Sequence, residues 1–128
     1  MKILGIGVDI IKNSRIKKSI KSNTFINRLF TKFEIKQSNI TKDKVNYFSK
    51  RFVAKESFSK ALGTGFRNKL NFKDIQILND KLGKPYYLVN SKINLLVKKI
   101  KKVKNFNLFL SISDEKEYSV AFTIIHKI

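Results

Sequence analysis

Cysteine and tryptophan are absent from this 128-residue chain, and there is one proline, one histidine and five glycines. Without cysteine there can be no disulfide, no thiolate nucleophile and no thiolate-held metal. The lone His126 cannot by itself build a zinc site. No apolar run approaches the roughly 20 residues that a membrane-spanning helix needs. The opening Met1 to Asp9 also makes a poor signal peptide, because its apolar segment is short and an acid closes it. These absences predict a cytoplasmic protein without a membrane anchor. Acidic residues are scarce too: 9 against 28 basic ones, a formal net charge of +19.

What remains is enough to fold. A hydrophobic content of 42% with 11 Phe argues for a globule rather than a disordered polycation. Neither a linker nor a repeat interrupts the chain, so residues 1–128 read as one domain. The positive charge suits three kinds of partner: nucleic acid, an anionic membrane surface, or an acidic protein with a phosphate-rich cofactor. Arginine occurs only at positions 15, 28, 51 and 67, amid abundant Lys, Ile and Asn. That bias is also what an AT-rich coding sequence gives, so the charge has two sources.

Periodicity predicts a strand near residues 3–8 and an amphipathic helix over roughly 12–21, with Ile16 and Ile20 on one side. Thr24 to Asn39 reads as one or two short helices with Phe25, Leu29, Phe30, Phe33 and Ile35 inward. Thr41 is the expected N-cap of a central helix from about Lys42 to Leu62. Alternation from Phe72 to Leu78 and again at Pro85 to Val89 predicts two strands joined by a turn. Ser91 to Lys102 has helical spacing, and Phe106 to Ser113 pairs with Tyr118 to Ile125 as a hairpin. The fold class is α+β, with a mainly antiparallel sheet packed on a long central helix.

The central helix carries an anomaly. Phe48, Phe52, Glu56 and Lys60 fall within about a third of a turn, while apolar residues fill most other directions. An enclosed carboxylate needs a cation, a metal or several donors, which makes Glu56 a site candidate. As a solvated surface pair, Glu56 and Lys60 would contribute only a few tenths of a kcal/mol. A second acid, Asp9, stands near the end of the buried strand Ile3 to Ile10, where a turn former or cap is the plainer reading. Acids without a His or Cys cluster suit a hard cation such as Mg²⁺.

Three further patterns carry little. Gly5-x-Gly7 lacks the third glycine of a dinucleotide fingerprint, since Ile10 stands in its place. Ser57-x-x-Lys60 matches an acyl-enzyme motif, but so do Ser14-x-x-Lys17 and Ser113-x-x-Lys116. The basic helix at 12–21 lacks the interleaved aromatics of an RNA-binding surface.

Gly5-Ile6-Gly7-Val8-Asp9-Ile10 with Arg15-Ile16, and Arg51-Phe52-x-x-Lys55-Glu56-x-x-x-Lys60-Ala61-x-Gly63-Thr64-Gly65, resemble holo-acyl-carrier-protein synthase, the small phosphopantetheinyl transferase. Gly83-Lys84-Pro85 and Ser111-Ile112-Ser113-Asp114-Glu115-Lys116-Glu117-Tyr118 extend the likeness in family order, from residue 3 to about residue 125. The resemblance implies transfer of phosphopantetheine from coenzyme A to a serine of apo-acyl-carrier protein. It implies Asp9 and Glu56 as Mg²⁺ ligands and Lys60 as a phosphate contact that stabilises charge. The proton of the acceptor serine would go to Lys60, to a metal-bound water, or to Glu56 through water. Gly63, Thr64 and Gly65 would meet the nucleotide, with Lys84 and Pro85 as another wall, and Arg51 and Lys55 would reach phosphates or the acidic partner. Arg15, Lys18 and Lys21 correspond to the family's docking surface for acyl carrier protein. A homotrimer with the site between subunits is also implied.

One position departs from the pattern. Many family members carry a His where this chain has Asp114, so that phosphate contact is either absent or supplied by Lys116 or another Lys. The rival reading, a nucleic-acid-binding module, makes the +19 charge itself the function and predicts steeply salt-dependent binding without Mg²⁺.

Overall fold

The computed structural model describes residues 2–67 and 69–128. Strand β1 (Lys2–Lys12) runs into α1 (Asn13–Ser19), followed by α2 (Asn23–Leu29), α3 (Lys32–Ser38) and the long α4 (Lys44–Leu62). A 3-10 turn at Phe72–Asp74 leads to β2 (Gln76–Asn79) and β3 (Pro85–Leu88), then α5 (Ser91–Lys101). The chain closes with β4 (Phe106–Asp114) and β5 (Tyr118–Lys127). Three strands form an antiparallel sheet in the order β1-β5-β4, while β2 and β3 form a separate antiparallel pair. The fold is α+β, as the periodicity predicts.

Local chemistry sets most boundaries. The Thr31 hydroxyl and the Glu34 carboxylate form a reciprocal capping box at the start of α3. Helix α4 is capped by Asp43, whose carboxylate accepts from the Asn46 N–H at 3.0 Å, so it begins later than a Thr41 cap predicts. Gly63 ends α4 at φ 90°, its N–H donating to the carbonyls of Lys60 and Ser59. Three other expectations shift. Strand β1 continues to Lys12 because β5 pairs along it, which puts Asp9 inside the strand opposite Ala121. Phe72 to Asp74 coil into a turn before β2 begins. Phe33 lies 46% exposed and does not face inward.

Helix α4 lies across one face of the three-stranded sheet. Ser119, Ala121, Thr123 and Ile125 of β5 point into that contact, where Val53, Phe58 and Leu62 are buried. Two glycines bring the backbones unusually close. A Cβ on Gly5 would stand 1.9 Å from the Ala61 carbonyl oxygen, and one on Gly7 would stand 1.9 Å from that of Ser57. Three hydroxyls fasten the other side of this contact. Ser57 Oγ lies 2.6 Å from Thr123 Oγ1, and Tyr87 OH, 2.7 Å from Thr123, donates to the Ala54 carbonyl at 2.6 Å. The opposite face of the sheet is apolar yet uncovered, with Ile6, Val8, Ile10, Phe109 and Phe122 exposed.

Candidate functional site

The glycine contact seats α4 on β1 with Glu56 and Lys60 beside Asp9. The Lys60 ammonium donates to Asp9 Oδ1 at 3.0 Å and to the Val8 carbonyl at 3.1 Å. Asp9 is largely enclosed, whereas the Lys60 side chain is about half exposed, so the pair sits at the protein surface. Burial raises the Glu56 carboxyl above its usual value. The negative charge of Asp9 raises it further, and Lys60 partly offsets both. Glu56 is half-buried rather than enclosed.

Two carboxylates that repel each other, with one lysine paired to Asp9, leave surplus negative charge on oxygen donors. That donor set fits Mg²⁺, which commonly takes one or two protein carboxylates and fills its octahedron with water and phosphate oxygens. Among the described residues no group of three or more His, Cys, Asp or Glu could hold a metal.

Just beyond α4, Gly63 and Gly65 adopt φ 90° and 61°, and nothing lies within 4 Å of where a Cβ on Gly65 would be. The backbone of Gly63-Thr64-Gly65 is thereby open to a ligand. Arg15, Lys18 and Lys21 are all exposed, the first two on α1 and Lys21 just past it. Helix α1 is anchored through Asn13, whose side-chain amide donates to the Glu115 carbonyl at 2.9 Å and accepts from Ser119 Oγ at 2.8 Å.

Two expected coenzyme contacts are corrected by burial. The enclosed charges of α4 are Arg51 and Lys55, not Glu56. The Lys55 ammonium donates to Glu34 Oε1 at 2.7 Å and to the carbonyls of Leu29, Phe72 and Ile75, with both side chains of the ion pair fully buried. Burial pushes this ammonium down from the usual lysine value while Glu34 pulls it up. With four acceptors it has no donor left for a phosphate. Arg51 is buried over the Tyr47 ring and donates to Asn79 Oδ1 at 2.7 Å. Lys55→Met should lower stability by about 3–5 kcal/mol, because it strands a buried carboxylate. A urea midpoint within error of the wild type would contradict this.

Lys84 and Pro85 line a hollow with Tyr86, Leu108, Phe109 and Phe122, and Asp9 is not part of it. The Asp114 carboxylate accepts from the Asn46 side-chain amide and so is tied to the start of α4. The anchoring parts of Asn13 and Glu34 have no signal in the sequence, and Gly5 and Gly7 show there as a motif but not as a packing contact. The spacing of Gly5 and Gly7, which puts both on one strand face, was the one available signal.

The model of the 4'-phosphopantetheinyl transferase superfamily matches residues 5–123. A holo-[acyl-carrier-protein] synthase of Pelagibacter ubique is 59% identical over 127 residues, covering 99% of each chain. The crystal structure of the holo-[acyl-carrier-protein] synthase from Neisseria meningitidis superposes with a TM-score of 0.89 at 35% identity, covering 98% of this chain and all of that one. The Bacillus anthracis enzyme, solved in complex with CoA (3',5'-ADP), gives a TM-score of 0.82 at 33% identity over 98% of both chains.

Proposed function

Since this chain belongs to the 4'-phosphopantetheinyl transferase superfamily, we propose that it performs the reaction its relatives are named for, and does so with Asp9, Glu56 and Lys60. It transfers phosphopantetheine from coenzyme A to a serine of apo-acyl-carrier protein. The serine oxygen bonds to the phosphorus bearing the pantetheine arm, the pyrophosphate P–O bond breaks, and adenosine 3',5'-bisphosphate leaves. The observation that carries the assignment of residues is the meeting of Asp9 with Lys60 and Glu56 across two elements fastened backbone to backbone.

Asp9 and Glu56 are the residues that would hold Mg²⁺, which when bound supplies divalent charge to the pyrophosphate oxygens. Lys60, already donating to a carboxylate and a carbonyl, is an ammonium with no lone pair to offer. Its part is therefore to neutralise phosphate charge. Glu56, made more basic by burial and by Asp9, takes the serine proton through water. Gly63, Thr64 and Gly65 present open backbone to the nucleotide. The exposed Arg15, Lys18 and Lys21 receive the acidic carrier protein, chiefly raising its association rate. The whole chain acts as one transferase domain of cytoplasmic fatty acid biosynthesis.

The bare apolar sheet face supports assembly into a homotrimer. Phe109 and Phe122 belong both to that face and to the hollow of Lys84 and Pro85. A neighbouring copy seated there would bring its own site to this wall. Phe122→Glu, opposite Val8 in the sheet, should yield monomers by sedimentation velocity and lower activity at dilute concentration. A trimeric variant would sink this assembly.

The reaction is tested by intact-mass spectrometry of apo-acyl-carrier protein incubated with this protein and coenzyme A, with Mg²⁺ or with chelator. The expected result is a phosphopantetheine-sized mass gain that chelation abolishes. No gain under either condition overturns the assignment, and an undiminished gain with chelator removes the metal.

A further inference from the structure

From Lys81 to Ser113 the sequence holds eight lysines and no Asp or Glu, and α5 lies inside that run. The helix buries Ile93 and Val97 in the core. At about 100° per residue, Lys92, Leu95 and Lys99 share a line within about 60° on the opposite side, and Lys102 extends it from the C-cap. All four are exposed. Leu95 is 67% exposed, more than any other large apolar side chain in the described helices. With Leu96 and Ile100 it lines an open hollow, together with Lys69, Lys92 and Lys99.

Among the described residues the ion pairs are Lys55 with Glu34, Lys60 with Asp9, and Lys92 with Asp74, so Lys69, Lys98, Lys99 and Lys102 meet no carboxylate there. A lone exposed leucine means little on any surface. Leu95 instead stands among uncompensated cations with an apolar hollow at its side. An occupant that answers both must carry negative charge in front and apolar depth behind. A lipid surface with anionic headgroups is layered in that way, and long lysine arms can hold the headgroups while a leucine goes deeper. The line is the outermost of its helix, which suits a yielding surface. Nucleic acid fits less well, because the line offers no arginine and no aromatic ring on which a base could stack. The line also stays clear of the bare sheet face. The Lys101 ammonium of the same helix lies 3.2 Å from where a Cβ on Gly5 would stand, a point that also meets the Ala61 carbonyl of α4. Helix α5 is therefore on the side of the sheet that α4 covers.

We propose that the outer line of α5 adsorbs this protein reversibly to an anionic lipid surface, with Leu95 entering the acyl layer and Lys98, Lys99 and Lys102 on the headgroups. Each lysine adds an attraction that fades within a Debye length, so the adsorption is sensitive to salt. One leucine is too little for lasting insertion, and the protein exchanges freely between the surface and solution. The inference stands apart from the transferase reading and uses none of its site residues.

The test is flotation of the intact protein with vesicles of phosphatidylcholine alone and of phosphatidylcholine mixed with phosphatidylglycerol. Wild type should bind the mixed vesicles and not the neutral ones, and should be released as salt rises from about 0.05 M to about 0.5 M. Leu95→Glu should weaken binding by about tenfold or more while leaving the melting temperature unchanged. Lys99→Glu with Lys102→Glu should weaken it as far. Lys32→Glu with Lys36→Glu, an equal change of charge on exposed positions of α3, should stay within about threefold of wild type. Because the chain has no cysteine, Leu95→Cys can carry a single polarity-sensitive fluorophore. Its emission should shift to the blue on the mixed vesicles, and that of the same label at Lys32→Cys should not. No binding to the mixed vesicles, an equal loss from the α3 pair, or an unshifted label at position 95 each overturns the proposal. Variants of Leu95 and Lys99 that lose binding to random RNA but keep the vesicles would give the face to nucleic acid, and overturn it too.

Discussion

Glu56→Gln should slow phosphopantetheine transfer by at least about a hundredfold while melting no lower than the wild type. The loss follows from removing one of two metal-holding carboxylates and the group that accepts the serine proton. The retained stability follows from the environment of Glu56, where burial first and Asp9 second raise the carboxyl in the metal-free protein. A carboxyl with a raised folded value holds its proton more tightly folded than unfolded. The stability it contributes is present at acid pH and is lost as the pH rises through the folded value. Glutamine stays neutral throughout.

The melting difference should therefore be small near the ordinary glutamate value of about 4.3 and open in favour of the variant towards neutral pH. Thermal melts in chelator across that range measure it, and a variant that loses stability towards neutral pH would contradict the sign. Added Mg²⁺ should raise the melting temperature of the wild type alone. A variant that keeps wild-type turnover would take Glu56 out of the site.

The second large effect belongs to Gly7→Ala. The added methyl would lie 1.9 Å from the Ser57 carbonyl oxygen and 2.6 Å from the Ala61 nitrogen. Neither is a side chain, so nothing can rotate away and α4 must lift from the strand. Overpacking of this kind costs about 3 kcal/mol or more. Since Ser57 follows Glu56 directly, the same lift draws Glu56 from Asp9. The folded fraction should thus lose activity by about a hundredfold on top of the lost stability. Gly83→Ala is the control. Its φ of 89° makes a side chain unfavourable, but nothing lies within 4 Å, and the cost should stay near about 1–2 kcal/mol. Urea midpoints and activity per folded molecule separate the two cases. Equal behaviour of Gly7→Ala and Gly83→Ala would mean that the close approach of α4 does not govern the site.

Much of this was legible in the residues themselves. Helices α4 and α5 announce themselves through apolar spacing, and the β4–β5 hairpin through two strand-like runs around Asp114-Glu115-Lys116. Asp9 and Glu56 stand out because acids are rare here and both fall in apolar surroundings. The misassignments share one cause, since sequence gives the direction of a side chain on its own element but not what lies opposite. Lys55 and Glu56 are chain neighbours aimed about 100° apart. Only the arrival of α3 with Glu34 and of the Phe72–Ile75 segment decides which of them is walled in. Gly5 and Gly7 matter for the atom they lack, and that need arises only when a second backbone comes within reach. Thr41 and Asp43 are both competent caps, and the choice between them depends on where the chain enters α4.

The order of the large sheet has a consequence for synthesis. Strand β1, with Asp9, is held edge to edge by β5 from Lys2↔Lys127 to Lys12↔Tyr118, so it waits for partners made about a hundred residues later. Until residues 118–127 have left the ribosome, β1 has no neighbour in the sheet. Pairing across nearly the whole chain is slow to nucleate, because the loop must close before any contact rewards it. Asp9 therefore gains its place in the sheet only once β5 has been made and has paired with β1.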